Sequence, residues 1–111
     1  MQSAHNYYQF SFDTRLQLPI PKLYCEYEIM PKEIQADFEL ECQQIASQIP
    51  EQIKRCEILY MDKFQLLQEA ADLDGFDELI ETMNEISSQI FDLNLLYHTI
   101  QGEYLGANVH G

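Results

Sequence analysis

The chain has 111 residues, a hydrophobic fraction of 46% and 19 acidic against 6 basic side chains, for a net charge of −13. That length suits one domain, residues 1–111, with a modest core, and the hydrophobic content excludes wholesale disorder. The charge excludes nucleic acid as a direct partner and an anionic membrane surface as a resting place, because both need a Lys/Arg face.

Residues 1–30 have strand character. Tyr8, Phe10 and Phe12 alternate with polar Gln9 and Ser11, and Leu23, Cys25, Tyr27 and Ile29 alternate with Tyr24, Glu26 and Glu28. Period-two patterns rich in aromatics predict strands. Leu18-Pro19-Ile20-Pro21 between them is incompatible with a helix or a central strand, so it reads as the connection. The expectation is a short β-hairpin, with an extended arm across the helices as the alternative.

Residues 31–72 read as a long helix that begins at Pro31, a residue suited to a first helical position. Ile34, Phe38, Cys42, Ile45, Ile49, Ile53, Cys56, Tyr60, Phe64, Leu67 and Ala71 recur in steps of 4, 4 and 3. This eleven-residue repeat keeps one face of a nearly straight helix apolar. Pro50 falls inside it without a phase break. The reading is therefore one helix kinked near Pro50; the alternative is two helices, the second capped by Ser47.

Asp72-Leu73-Asp74-Gly75 ends this helix, with Asp74 a candidate cap for the next. Residues 75–104 carry an unbroken heptad seam: Phe76, Leu79, Met83, Ile86, Ile90, Leu93, Tyr97, Ile100 and Tyr104, in steps of 3 and 4. Ile80, Phe91, Leu95 and Leu96 widen this stripe beyond what one neighbouring helix covers. The N-terminal strands, a second copy of the chain, or both must supply the remaining cover. Residues 105–111 are expected to fray.

The charge is uneven. The first 63 residues hold all six basic side chains and ten acids, for −4; residues 64–111 hold nine acids and no Lys or Arg, for −9. The C-terminal helix is therefore the electrostatic face. A solvated surface is the simplest use of it, docking of a basic protein a second, and mimicry of nucleic acid to inhibit a DNA-binding protein a third. Asp74, Asp77, Glu78, Glu81 and Glu85 form too short a ridge to favour the last.

Few residues point to chemistry. Residues 70–81 can be set against a calcium-binding helix–loop–helix, with Asp72, Asp74 and Glu81 as ligands. Ala70 then stands where the first acid belongs and Asp77 where an aliphatic residue belongs, so an interhelical turn is the better reading. His98 has Leu95 three residues before it, so the Glu-x-x-His pair of a di-metal bundle is missing. Cys25, Cys42 and Cys56 show no zinc or redox spacing and read as reduced thiols in a cytoplasmic protein. There is no phosphate loop or nucleophile elbow, and Met1 to Phe12 lacks the pattern of a signal peptide.

The sequence thus predicts a mainly α protein: an antiparallel pair of long helices, kinked near Pro50, with a short N-terminal β element, completed as a bundle by dimerisation. Its expected role is that of a non-enzymatic, cofactor-free, acidic interaction module. Met83, Ile86, Ile90, Leu93, Tyr97 and Ile100 are the candidates for self-association. Tyr7, Tyr8, Phe10, Asp77, Glu78 and Glu81 are the candidates for contact with a basic partner protein.

Overall fold

The computed structural model describes residues 7–69 and 74–105. Strands β1 (Tyr8–Asp13) and β2 (Leu18–Leu23) form an antiparallel hairpin, and a 3-10 turn at Tyr27–Ile29 leads into helix α1 (Lys32–Glu69). Helix α2 (Phe76–Thr99) follows and continues as a π-helical segment, Ile100–Leu105. The helices run antiparallel: Cys56 of α1 meets Gln89 of α2, and Phe38 near the start of α1 meets Tyr104 at the far end of the chain. The molecule is an elongated body of 64 × 26 × 17 Å.

The hairpin exists as expected, but its second strand is not the one the alternation indicated. Leu18–Leu23, the proline-bearing segment, pairs with β1, while Tyr27–Ile29 is helical. The register explains why two prolines are tolerated. Pro19 pairs with Phe12 and Pro21 with Phe10, and the Tyr24 amide donates to the Tyr7 carbonyl one step beyond the Tyr8–Leu23 pair. Hydrogen-bonded pairs alternate with non-bonded ones in an antiparallel ladder, so both prolines fall where no N–H is needed. The turn is closed locally: the Leu16 amide donates to Asp13 Oδ1 at 2.9 Å, and Gln17 takes a left-handed φ of 60°.

Helix α1 is unbroken from Lys32 to Glu69, with Pro50 inside it. Ser47 starts no second helix; its hydroxyl donates to the Gln44 carbonyl within α1. The eleven-residue stripe lies where the repeat puts it: Phe38, Cys42, Ile45, Ile49 and Cys56 are buried, and Ile34, Ile53, Tyr60 and Leu67 are half-buried. At the start of α2 the cap is Gly75, in the left-handed region at φ 83°, with no side-chain cap. Asp74 therefore does not take the capping role expected of it, since only glycine adopts that backbone without strain. Asp72 and Ala71, and the tail from 106, lie outside the described residues.

The core is contiguous but one-sided. Tyr8, Leu16, Leu18 and Met30 from the hairpin and its exit join Phe38 to Cys56 of α1 and Ile86 to Ile100 of α2. Phe38 is its centre: Tyr8, Phe10, Tyr27 and Tyr104 all place rings within 6.3 Å of it. The Tyr27 hydroxyl donates to Glu39 and fixes the 3-10 turn to α1. Beyond Cys56 no described residue of α1 is buried, and on α2 none before Met83 is. The hairpin half of the molecule thus has three layers and the distal half only two helices.

Candidate functional site

The seam residues singled out in α2 are largely occupied within the chain. Met83, Ile86, Leu93 and Ile100 are buried, and Ile90 and Tyr97 are half-buried. Their partner is α1, whose own stripe faces them. Of the six, only Ile90 and Tyr97 keep part of their surface free in the single chain.

The N-terminal aromatic candidates are likewise drawn inward. Tyr8 is buried, Tyr7 and Phe10 are half-buried, and Phe12 is the exposed aromatic of the strand at 60%. Burial, with Glu41 and Asp37 nearby, raises the Tyr8 hydroxyl above its ordinary pKa. Asp77, Glu78 and Glu81 remain exposed on the first turns of α2. Asp74 is exposed as well, and among the described residues no three His, Cys, Asp or Glu side chains gather in a metal-binding group.

Of the residues that widen the α2 stripe, Leu96 is covered, lining a cleft with Leu16 and Ile20 of the hairpin. Phe91 stays 67% and Leu95 55% exposed. The β element therefore supplies only part of the missing cover.

The sequence reading missed the arginine that secures the hairpin. Arg15, in the turn between β1 and β2, donates from Nε to Glu85 at 2.6 Å, from Nη1 to Asp92 at 2.7 Å and from Nη2 to Ser88 at 2.6 Å. Glu85, Ser88 and Asp92 lie three and four residues apart, on one side of α2. The planar guanidinium suits such a row of acceptors. Glu85, read as solvated, is in fact an anchor. The only hint in the sequence was this polar row beside an apolar seam, with nothing to connect it to Arg15.

None of the three cysteines is in a disulfide, and Cys42 and Cys56 are buried. Burial pushes the Cys42 thiol up to about 12, with lesser help from Glu41 and Glu39. Such a thiol is a core group rather than a nucleophile. The Cys56 thiol is also raised by burial, and lies 3.7 Å from Gln89 Oε1.

The most unusual surface is the distal half of the helix pair. Ile58, Leu59, Met61, Phe64 and Leu66 of α1 and Phe76 of α2 are all exposed. At 100° per residue the five on α1 spread over about 220° of the helix, to both flanks of the stripe that faces α2. A helix whose apolar surface extends so far beyond its one neighbour is one that expects further cover. On the side away from the hairpin, Glu57, Tyr60 and Met61 meet Ser87 and Ile90 across a shallow groove of about 320 Å³. No helix among the described residues is long and apolar enough to cross a membrane. No protein-family model matches the chain, and no curated protein or solved structure is similar to it.

Proposed function

We propose that the protein is a non-enzymatic, acidic interaction module that docks onto another protein chain through the distal half of its helix pair and self-associates to complete a bundle. The observation that carries this reading is the exposed apolar surface of α1 from Ile58 to Leu66, on flanks that neither α2 nor the hairpin covers. The hairpin half is the folded base: its third layer closes the core, and Arg15 holds that layer to α2. A bend of α1 at Pro50 would set the angle between base and docking end. Three unpaired cysteines suit a reducing cytoplasmic setting.

A photo-crosslinking residue at Met61, with the same residue at Phe12 as control, tests the reading in cells. Both positions are exposed and apolar. Position 61 is expected to give a protein adduct of discrete mass that position 12 does not. Absence of any adduct at 61 would reject the docking role.

A second reading concerns the acidic edge of the same half. Asp77, Glu78 and Glu81 are exposed and form no ion pair with a described residue. A basic protein would find three carboxylates within little more than one turn beside the apolar surface. Charge reversal at all three should then abolish capture of a basic partner while leaving the fold intact, and unchanged capture would reject it.

A further inference from the structure

We infer that the face of the distal helix pair turned away from the β-hairpin is occupied by a second copy of this chain, packed about a two-fold axis into a four-helix arrangement. This rests on the docking role proposed above and names its occupant.

The side of each helix is fixed by what it touches. On the hairpin side, Gln17 and Leu18 sit with Gln48, Glu51, Gln52 and Arg55 of α1, and Arg15 with Glu85, Ser88 and Asp92 of α2. The groove between Glu57, Tyr60, Met61, Ser87 and Ile90 lies on the other side. Helical spacing carries Phe64 onto that side of α1, and Phe76 and Ile80 onto that side of α2.

Charge selects the occupant. Of Glu57, Tyr60, Met61, Phe64, Phe76, Ile80, Ser87 and Ile90, only Glu57 is charged, in a chain whose net charge is −13. A chain so acidic can pair with itself only through a face that is almost neutral, because like charges set opposite one another are destabilising. A basic partner would instead gain most on the opposite side, where Glu78 and Glu81 lie. Two helices, each about 10 Å wide, over about 24 Å of length give a footprint of about 500 Å² per copy, at the lower limit for a specific interface. A weak, reversible dimer suits an interface of that size.

The long-range repulsion between two acidic copies is screened by salt. Self-association should therefore strengthen severalfold between 0.05 and 0.5 M NaCl, whereas docking of a basic partner would weaken.

Sedimentation equilibrium of the full chain at both salt concentrations tests this, with Met61→Glu/Phe64→Glu as the face variant and Phe12→Glu, which adds one such charge away from the face, as the control. Met61 and Phe64 are exposed in the single chain, so helical circular dichroism should persist; Met61→Lys alone serves if the double variant unfolds. A salt-strengthened dimer, lost in the face variant and kept in Phe12→Glu, is the expected result. A wild-type monomer at every concentration and salt, or a dimer indifferent to the face variant, overturns the inference. In the monomer case an adduct from position 61 to a different protein would leave the docking role standing, and the absence of any adduct would remove both.

Discussion

Arg15 Nη1 lies 2.7 Å from Asp92 Oδ2, a contact that joins residues 77 positions apart and ties the β-hairpin turn to the middle of α2. With the bonds to Glu85 and Ser88 it makes one guanidinium the fastener of the third layer. Arg15→Ala should lower the urea midpoint and open the cleft between Ile20 and Leu96, and the deficit should shrink at high salt. Arg15→Lys should recover little of it, since a single ammonium cannot span both carboxylates. Equal stability of all three proteins would show that apolar packing alone holds the hairpin.

The seam and its flank should respond differently to truncation. Leu93 is 1% exposed and Phe91 67%. Leu93→Ala is expected to cost about 2–5 kcal/mol, and Phe91→Ala no more than about 0.5 kcal/mol, in denaturant unfolding of the dilute protein. A reversed order would mean that the seam faces another chain rather than α1.

Pro50 is exposed inside α1. Its ring removes one helical N–H and crowds the carbonyl four residues back, on Ala46. Pro50→Ala restores the bond and should raise stability by about 1–3 kcal/mol. A loss of stability instead would show that the packing of Ala46 and Ile49 depends on a bend at this position.

Alkaline pH should destabilise the fold through Cys42. Its pKa of about 12 in the folded state stands above the ordinary thiol value of about 8.5 for the unfolded chain. The associated stability is fully present below that ordinary value and is lost as pH rises toward the folded pKa. The expected slope for this one group is about 1.4 kcal/mol per pH unit. Comparing unfolding at pH 8.5 and 9.3 limits the part played by the buried Tyr8 and Tyr104 hydroxyls, raised by burial from an ordinary 10.0. The raised Cys56 thiol adds to the slope in the same window, so the Cys42 share is the difference that its removal makes. Cys42→Ala should flatten the slope, whatever it does to absolute stability; an unchanged slope would refute the assignment.

The helices were legible in the sequence because burial in a helix pair leaves a period that a single chain displays. The stripe from Ile34 to Leu67 and the seam from Leu79 to Tyr104 needed only the geometry of the α-helix. The second strand was not legible. Prolines at non-bonded ladder positions look like a connection, and the alternation of Leu23 to Ile29 belongs to a 3-10 turn whose Tyr27 packs on Phe38. Nor was the Arg15 fork, because pairing across more than 70 residues leaves no local pattern. The distal surface was hidden by the periodic reading itself. Ile58, Leu59, Met61 and Leu66 fall off the stripe, and a search for one apolar face passes over residues that point elsewhere.

The central proposal is that a second copy of the chain covers the distal helix pair, which the folded monomer leaves open. Amide hydrogen exchange of the full chain, at a dilute and a high protein concentration, tests it where it applies. Peptides covering 57–69 and 76–84 should exchange more slowly at high concentration, while those of β1, β2 and the first turns of α1 stay unchanged. Exchange in the distal segments that does not vary with concentration would contradict the account.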